Sequence, residues 1–514
     1  MSKTVGKVYL VCAGPGDLGL LTVKARELLS ITDVLVYDHL TNSKLHKWTK
    51  ENCEHIDVGK SSGSIALEQS EIGKILVSKA EEGFSVVRLI GDTPFIFERC
   101  AGEISRIEKE DVPYEIVPGV STSFACAAYA GIPLSHQESG SSIYFLTGHE
   151  GIEMESQRVD FSKFAESGGI FCINMGISKL EEIVGQLETS GLPEKIPVAI
   201  VNHGTLATQR HIICSLGTLL KEANSEKSTT HSIIFIGNAV GLAGEKSWFE
   251  NRPLFGKRFV VTRCNKQNGN LRSKLEELGS EVLELPLIKI LPTEERKQVA
   301  EVLTGIATYE WVVFTSSNGA REFMRLFFKA FRDLRSFGPM RIACVGEATA
   351  AIFENYKLEV ELIPEVSTAE NLAQSLIATE SLDSANVLVV SGNRNREVLV
   401  TMLETIGHAI VDVLSVYETD FADVVSARDL NTYKKSGADG IIFTSSSTAL
   451  SYVEQEEDMK LDKNAKRPLL CSFGPETSKT LRENNLSVGL ESESPSVDDL
   501  VDAILEKFAF LDEA

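Results

Sequence analysis

The residues best suited to binding a ligand near the start of the chain form the tight turn Ala13-Gly14-Pro15-Gly16-Asp17. The turn follows a short apolar run, 8–11, and precedes a run with helical periodicity. Glycines allow the backbone to come close to a ligand, and Pro15 restricts the path of the turn. The spacing matches neither the glycine pattern of dinucleotide-binding folds nor a phosphate-binding P-loop. The turn therefore indicates either a different kind of ligand loop or a strand-to-helix connection without a ligand.

The elements that must position this turn alternate between strand-like apolar runs and helical periodicity, which predicts an α/β architecture along the whole chain. The stretch 245–257 mixes charge, proline and glycine, so we expect it to be a linker between two halves. In the first half, the predicted strands are 8–11, 34–37, 86–89, 170–173, 198–201 and 233–236, and the predicted helices include 22–29 and 181–187.

The second half contains an internal repeat, because separated segments recur at an offset of 128 or 129 residues. Such a repeat indicates two similar α/β lobes, and a ligand commonly binds in the cleft between lobes. The matching pairs are 261 with 389, 275 with 403, 279 with 407, 288 with 416, 313–317 with 442–446, 345–349 with 473–477, and 368–372 with 496–500.

The composition indicates a folded protein of several domains. The 514 residues are 43% hydrophobic and 24% charged, as in globular chains with substantial cores. The net charge of −22 gives a surface that repels nucleic acids and anionic membranes. No apolar run is long enough to span a membrane, no signal peptide is expected, and nine cysteines are scattered without a Cys-x-x-Cys pair. We therefore expect a cytoplasmic protein with reduced thiols and no metal site.

The first half resembles the uroporphyrinogen-III C-methyltransferases, a class of tetrapyrrole methylases. The segments that carry the resemblance are AGPGDLGLLTVKA (13–25), VLVYDHL (34–40), VGK (58–60), VVRLIGDTPFIFER (86–99), EIVPGVSTSFACAAYAGIPLSH (115–136), FLTGHE (145–150), NMGISKL (174–180) and VNHGT (201–205). The resemblance implies a two-lobed methylase domain over 1–244. It also implies transfer of methyl groups from S-adenosylmethionine to two ring carbons of uroporphyrinogen III, giving precorrin-2.

This resemblance also implies which residues serve the reaction. Asp38 and Lys60 fall on the family's proton acceptor and proton donor, and methylation at carbon requires that a proton leave the macrocycle. Alternatively, Asp38 caps a helix and Lys60 is a solvated loop residue. The loop 90–94 departs from the family, since it reads Ile-Gly-Asp-Thr-Pro where Lys-Gly-Gly-Asp-Pro is usual. The implied S-adenosylmethionine site consists of Pro15, Gly91, Asp92, Thr93, Ile96, Ser121, Thr122, Met175 and Gly204.

The second half resembles the uroporphyrinogen-III synthases. The segments that carry this resemblance are GKRFVVTR (256–263), LEELGSEVLELPLIKI (275–290), WVVFTSSNGAREF (311–323), IACVGEATA (342–350), VLVVSGNRNREVL (387–399), SVYET (415–419), IIFTSSSTAL (441–450), FGPETSKTL (473–481) and SPSVDDLVDAI (494–504). It implies duplicated α/β domains over 258–514, with one lobe formed by 258–290 plus 421–514 and the other by 291–420. The implied reaction closes hydroxymethylbilane with inversion of its last ring, so the enzyme must hold one conformer and assist a leaving hydroxyl.

Tyr417 matches the tyrosine that the synthase family favours for this assistance, since a phenol can donate a proton without carrying charge into a cleft. Arg263, Arg394 and Arg396 are either partners of the substrate carboxylates or solvated surface residues. Several hydroxyl and amide groups follow strands and are expected either to bind the acetate and propionate arms or to cap helices. They are Thr315, Ser316, Asn318, Thr444, Ser445, Ser446 and Thr477.

The two resemblances together predict a bifunctional enzyme whose small-molecule substrates are tetrapyrroles and whose product leads to sirohaem or cobalamin. The methyltransferase family implies a homodimer through the first half. Two alternatives stay open: a methyltransferase with a non-catalytic, porphyrinogen-binding second half, and a methylase of a later corrin precursor or of another substrate such as diphthine. A nucleotide-binding dehydrogenase is disfavoured because no Gly-x-Gly-x-x-Gly motif follows a strand.

Overall fold

The structure, a computed structural model, divides the chain into two compact units, Met1–Gly256 and Lys257–Ala514. Each unit consists of sheets flanked by helices, so the predicted α/β class is confirmed. Within the part of the chain that is described, no helix is both long and apolar enough to cross a membrane. The described residues are 5–38, 43–59, 69–96, 100–137, 139–147, 168–174, 180–225, 232–263, 269–393 and 397–509.

The first part of the first unit is a five-stranded parallel sheet with four α-helices. Its elements are β1 (Val8–Cys12), α1 (Val23–Ile31), β2 (Val34–Tyr37), β3 (Glu54–Asp57), α2 (Gln69–Glu81), β4 (Val86–Ile90), α3 (Cys100–Lys109), β5 (Tyr114–Val117) and α4 (Thr122–Tyr129), with short 3-10 helices at Leu18–Leu20 and Ser43–Trp48. The strand order is β3-β2-β4-β1-β5. The central strands are mainly apolar, as expected for a sheet covered on both faces, since α1 packs on one face and α2 on the other.

A second, mixed sheet completes the first unit. Its elements are β6 (Ile143–Thr147), β7 (Ile170–Asn174), α5 (Leu180–Thr189), β8 (Pro197–Asn202), β9 (Arg210–Ser215), α6 (Leu219–Ser225) and β10 (Ser232–Ile236), with 3-10 helices at Leu216–Thr218 and Asn238–Leu242. The order is β6-β7-β10-β8-β9, and only β6 and β7 run parallel. Helix α4 packs on this sheet, where Cys126 and Ala127 share a core with Ile170 and Phe235. Helix α4 therefore connects the two sheets of the unit.

The segment that follows β10 packs against α4, although the sequence predicts a linker at 245–257. Phe249 and Leu254 are buried. The indole N–H of Trp248 donates to the backbone oxygen of Ala128 at 2.9 Å, and the rings of Tyr129 and Phe249 are 4.7 Å apart. This segment is therefore folded as part of the first unit up to its last residues.

The second unit is built on two five-stranded sheets and the helices that flank them. In chain order its elements are β11 (Arg258–Val261), α7 (Gly269–Glu277), β12 (Glu281–Glu284), β13 (Ile288–Pro292), α8 (Arg296–Thr304), β14 (Trp311–Phe314), α9 (Ser317–Ala330), β15 (Arg341–Cys344), α10 (Glu347–Glu354), α11 (Ala369–Ile377), β16 (Asn386–Gly392), α12 (Glu397–Thr405), β17 (Ile410–Phe421), α13 (Leu430–Ser436), β18 (Gly440–Phe443), α14 (Ser446–Glu454), β19 (Leu469–Ser472), α15 (Pro475–Glu483), β20 (Leu490–Glu491) and α16 (Val497–Phe508). Short 3-10 helices lie at Ile306–Thr308, Leu334–Phe337 and Val424–Ser426.

The two sheets of this unit have the same order of corresponding strands. One sheet has the order β12-β11-β18-β19-β20 and is parallel; the other has the order β13-β17-β16-β14-β15. At the sequence offset of the repeat, β11 corresponds to β16, β18 to β14 and β19 to β15. The additional strand β13 pairs antiparallel with the end of the twelve-residue strand β17, which places Pro292 opposite Tyr417.

Candidate active sites

The first candidate site lies at one edge of the parallel sheet of the first unit. Strands β1, β2, β4 and β5 are parallel, so their carboxyl ends share this edge, where ligands of open α/β sheets usually bind. The residues predicted from sequence follow these strand ends: Pro15 after β1, Asp38 after β2, Gly91, Asp92, Thr93 and Ile96 after β4, and Ser121 and Thr122 after β5.

Both the carboxylate and the backbone of Asp17 form hydrogen bonds that hold the turn after β1. One carboxylate oxygen of Asp17 accepts the backbone N–H of Gly19 at 2.7 Å, and the other accepts the phenol O–H of Tyr129 at 2.6 Å. The backbone N–H of Asp17 donates to the hydroxyl of Thr205 at 3.1 Å. Gly16 has a φ of 139°, a value that favours glycine. These contacts fix the turn that exposes the backbone around Pro15.

The loop after β4 is attached to the start of α4 through Asp92. The Oδ1 atom of Asp92 accepts the backbone N–H of Thr93 at 2.7 Å and that of Thr122 at 3.1 Å. The hydroxyl of Thr93 donates to the backbone oxygen of Gly119 at 3.4 Å. Burial raises the pKa of Asp92, and the hydrogen bonds from Thr93 and Thr122 oppose that rise. The predicted residues of this loop and of α4 are thus brought together, with Asp92 acting on the first turn of the helix.

The turn that follows β8 has a strained backbone and lies against both α4 and the turn after β1. His203 and Thr205 have φ values of 48° and 68°, and such left-handed non-glycine residues cluster at functional sites. Gly204 lies between them, and a Cβ atom added there would be 2.2 Å from the sulfur of Cys126. Burial raises the pKa of Cys126 to about 12, so this thiol is a packing group. Gly204 is therefore required for the close approach of this turn to α4.

Asp38 contacts a buried cation that the sequence reading did not single out. Arg88 lies inside β4 with 5% of its surface exposed, and its Nη1 and Nη2 atoms are each 3.4 Å from Oδ2 of Asp38. The Nε atom of Arg88 is 3.5 Å from Oε2 of Glu103 on α3. Burial raises the pKa of Glu103, and the charge of Arg88 opposes that rise. One buried guanidinium therefore serves two carboxylates, and Asp38 is held in place by it.

The second candidate site contains Tyr417, at the end of the antiparallel ladder of the second unit. Its phenol oxygen is 3.0 Å from the hydroxyl oxygen of Ser316. Burial raises the pKa of Tyr417, while Ser316 and the charge of Arg263 lower it in part. The phenol is therefore kept neutral, able to donate a proton, and near a cation. Arg263 follows β11 in one sheet of the unit, whereas Tyr417 lies on β17 in the other sheet.

The predicted hydroxyl and amide groups fall into two sets. Thr315 and Ser316 lie between β14 and α9, and Asn318 lies in the first turn of α9. Ser316 caps that helix by accepting the backbone N–H of Gly319 at 3.1 Å. Thr444 and Ser445 lie between β18 and α14, Ser446 is the first residue of α14, and Ser445 caps that helix. The hydroxyl of Ser446 donates to the backbone oxygen of Glu476 at 3.3 Å, which brings the start of α15 and the buried Thr477 beside this set. Two of these groups, Ser316 and Ser445, thus cap helices, and the binding of substrate by the whole set stays a prediction.

Four predicted residues lie outside the described part of the chain: Lys60, Met175, Arg394 and Arg396. Sequence reasoning missed Arg88, Glu103, Tyr129 and Thr205. Arg88 could have been found, because a charged residue within the apolar run VVRLI must have a partner when the strand is buried. Nothing local marks Tyr129 or Thr205, whose contacts with Asp17 join segments far apart in the chain.

The chain matches two protein families. One is described as "Tetrapyrrole (Corrin/Porphyrin) Methylases" and matches residues 7–220. The other is described as "Uroporphyrinogen-III synthase HemD" and matches residues 269–502. The first range includes Asp38 and the loop after β4, and the second includes Ser316 and Tyr417.

Curated relatives cover either the whole chain or its first part. A Ruminiclostridium josui protein named "Porphyrin biosynthesis protein HemD" is 32% identical over 507 residues, which is 98% of each chain. A "Uroporphyrinogen-III C-methyltransferase" of Bacillus subtilis is 34% identical over 330 residues, covering 64% of this chain and 68% of the relative. An "S-adenosyl-L-methionine-dependent uroporphyrinogen III methyltransferase" of Methanosarcina barkeri is 40% identical over 242 residues, covering 47% of this chain and 95% of the relative.

Proposed function

Since this chain belongs to the porphyrin-biosynthesis proteins that join a tetrapyrrole methylase to a uroporphyrinogen-III synthase, we propose that it is a bifunctional enzyme of tetrapyrrole biosynthesis. It closes hydroxymethylbilane to uroporphyrinogen III and methylates that product twice to precorrin-2. The observation that supports this most directly is that each matching family region contains a candidate acid–base residue in contact with a polar side chain: Asp38 beside Arg88 in the first and Tyr417 beside Ser316 in the second.

The first unit uses S-adenosylmethionine, which supplies an electrophilic methyl group when bound. The edge of the parallel sheet fits such a molecule, because turns with glycines at 14, 16 and 91 expose backbone groups for its polar ends. Ile96 is 37% exposed beside this loop and offers an apolar wall. We propose that Pro15, Gly91, Thr93, Ile96, Ser121, Thr122, Gly204 and Met175 line the site. Asp92 supports it from behind through the first turn of α4.

Asp38 is the proposed proton acceptor of the methylation step. A pyrrole carbon that gains a methyl group must lose a proton, and an ionised carboxylate can accept it. The guanidinium of Arg88 lies 3.4 Å from Oδ2 of Asp38 and orients the carboxylate. Lys60 is the proposed proton donor. The tetrapyrrole itself carries several carboxylates, so local cations must offset a chain with a net charge of −22.

The second unit closes the linear tetrapyrrole. Tyr417 donates the phenol proton to the leaving hydroxyl of hydroxymethylbilane, the carbon–oxygen bond breaks and water leaves. The proton that the ring system later releases on closure returns to the phenolate, so the tyrosine is regenerated. Arg263 can pair with a substrate carboxylate near the phenol, and the hydroxyl and amide groups that follow β14 and β18 hold the acetate and propionate arms.

Two substitutions in the full chain test whether each unit carries one activity. Asp38→Asn preserves the shape of the side chain and is expected to abolish methylation of supplied uroporphyrinogen III while hydroxymethylbilane is still closed to the III isomer. Tyr417→Phe is expected to slow closure by roughly a hundredfold or more while methylation of supplied uroporphyrinogen III continues. A wild-type chain that yields only the I isomer, which forms spontaneously, would leave the second unit as a binding module and contradict the synthase assignment.

The family also leads us to propose a homodimer formed through the first unit. Sedimentation of the full chain at several concentrations tests this, with a mass of about twice 56.2 kDa expected. A mass of one chain at all concentrations would contradict it.

A further inference from the structure

The hydroxyl of Ser316 makes two contacts that belong to different parts of the fold. Its oxygen accepts the backbone N–H of Gly319 at 3.1 Å, which caps the fourteen-residue helix α9. The same oxygen is 3.0 Å from the phenol oxygen of Tyr417 on β17. A serine hydroxyl has one proton and two lone pairs. The bond from Gly319 therefore still leaves the proton of Ser316 available to the phenol oxygen.

The ring of Tyr417 is fixed on its other side by the backbone of Gly392. A Cβ atom added at Gly392 would be 2.6 Å from the ring atoms Cε2 and Cζ and 3.0 Å from the phenol oxygen. The ladder between β16 and β17 shifts its register at this point and sets Gly392 opposite Tyr417. Because the ring rests on a residue without a side chain, its oxygen is directed to Ser316.

The duplicated lobe provides an internal comparison. At the offset of the repeat, Ser316 corresponds to Ser445, which caps α14 by accepting the backbone N–H of Thr448. Tyr417 corresponds to Lys289, whose ammonium group instead pairs with Asp420 at 2.9 Å. A serine thus caps a helix in both lobes, but among the described residues the serine hydroxyl contacts a phenol only in the lobe that carries Tyr417. Helix capping alone explains why a serine occurs at this position in both lobes. The contact with Tyr417 is a further role of Ser316.

We propose that Ser316 is a positioning residue for ring closure, which holds the phenol of Tyr417 in line with the leaving hydroxyl and donates a hydrogen bond to the phenolate formed when that proton has left. This inference rests on the proposed synthase function. The proton of Ser316 stays on its oxygen throughout, and the bond from the helix start at Gly319 increases its ability to donate. Ser316 therefore acts through Tyr417, and the acetate and propionate arms of the substrate are held by the other hydroxyl and amide groups of the site.

A double-mutant cycle in the full chain tests the proposal. Ser316→Ala is expected to lower kcat for hydroxymethylbilane closure roughly tenfold or more with little change in KM, since a hydrogen bond to a charged oxygen is lost. Ser316→Thr, which keeps the hydroxyl, is expected to restore most of that rate. In the Tyr417→Phe background, Ser316→Ala should have no further effect. An equal loss of rate in that background, or a raised KM with unchanged kcat, would overturn the proposal in favour of a direct substrate contact.

Loss of the helix cap is controlled by Ser496→Ala. Ser496 caps α16 by accepting the backbone N–H of Asp499 at 3.0 Å, so this variant should lower the unfolding midpoint about as much as Ser316→Ala while kcat stays unchanged. If both variants lowered kcat equally, the effect of Ser316 would be one of stability alone, and the proposal would be wrong.

A readout without turnover separates this proposal from the proposed function. With tyrosine labelled by carbon-13 at Cζ, the Tyr417 signal is identified by its loss in Tyr417→Phe. We expect Ser316→Ala to move that signal and Ser496→Ala to leave it in place. An unmoved signal would contradict the hydrogen bond, even if the wild type closes the ring. If Ser316→Ala moves the signal but the wild-type chain has no synthase activity, the proposed function and the catalytic use of the contact are contradicted. The contact itself then stands.

Discussion

The carboxylate of Asp92 accepts the backbone N–H of Thr122 at 3.1 Å, which connects the loop after β4 to the first turn of α4. The two segments follow β4 and β5, which flank β1 in the parallel sheet, so both lie at the edge where ligands of such sheets usually bind. The carboxylate thereby occupies a position where a helix start prefers negative charge. Asp92 is predicted from sequence to belong to the cofactor site, and we propose that it serves this site by holding the loop through its bonds to Thr93 and Thr122.

Asp92→Ala is therefore expected to weaken binding of S-adenosylhomocysteine and to lower the free energy of unfolding by about 1 kcal/mol, as loss of a helix cap does. Asp92→Asn is the matched control, because its amide oxygen can still accept the N–H of Thr122. Calorimetric titration and thermal unfolding of both variants measure this. Unchanged affinity in Asp92→Ala would remove Asp92 from the cofactor site.

Gly204 is expected to tolerate no side chain. Its Cβ atom would be 2.2 Å from the sulfur of Cys126, so Gly204→Ala must displace the turn or α4, at a cost of about 1–3 kcal/mol of unfolding free energy. Because that turn also contacts Asp17 through Thr205, cofactor affinity should fall as well.

The matched control for this change is Gly185→Ala. Gly185 lies within α5, and no atom lies within 4 Å of its added Cβ. Alanine should stabilise that helix by up to about 1 kcal/mol. Equal unfolding midpoints for the two variants would contradict the packing described at Gly204.

Removal of the cation of Arg88 should destabilise the first unit strongly. Arg88→Met leaves the buried carboxylate of Glu103 without compensation, and breaking such a pair costs about 3–5 kcal/mol. Arg88→Met combined with Glu103→Leu should recover a large part of that loss, because both charges are then absent. Chemical denaturation of the variants measures the difference. A double variant no more stable than Arg88→Met would show that the two residues are not coupled.

The attachment of the segment after β10 should weaken as the pH rises. The Nδ1 atom of His211 is 2.6 Å from Oε2 of Glu250, and this carboxylate raises the pKa of His211 above its usual value of 6.5. The pair therefore stabilises the fold fully below pH 6.5, and this contribution is lost as the pH rises through the raised value.

Thermal unfolding from about pH 6 to about pH 9 checks this prediction. The difference in midpoint between the wild type and Glu250→Gln should be largest at the acid end and shrink toward the alkaline end. Glu250→Gln keeps an oxygen for the amide of Gln209, which donates to Glu250 at 3.0 Å. A difference that grows with pH would contradict the sign of the pKa shift.

Much of the fold could be predicted from local patterns, because apolar runs in parallel sheets are buried on both faces. The six strands predicted in the first half agree with β1, β2, β4, β7, β8 and β10 to within one residue at each end. The offset of the repeat likewise corresponds to two sheets with the same strand order. These features depend on neighbours in sequence or on exact recurrence.

The contacts that arrange the sites could not be predicted in the same way. Tyr129 and Asp17 are 112 positions apart, and Ser316 and Tyr417 are 101 apart. Whether the residues of each pair meet depends on the order of the strands in the sheet, and local sequence patterns do not determine that order. The segment after β10 is predicted as a linker because it is rich in charged and turn residues, yet Phe249 and Leu254 in it are buried.

The most direct test of a chain with two linked activities is one reaction that requires both. Purified full chain is incubated under anaerobic conditions with hydroxymethylbilane and S-adenosylmethionine, and the products are analysed by mass spectrometry with separation of the ring isomers. We predict a dimethylated tetrapyrrole of the III series, precorrin-2, with uroporphyrinogen III accumulating when S-adenosylmethionine is omitted. Unmethylated uroporphyrinogen I as the sole product in both reactions would contradict the account.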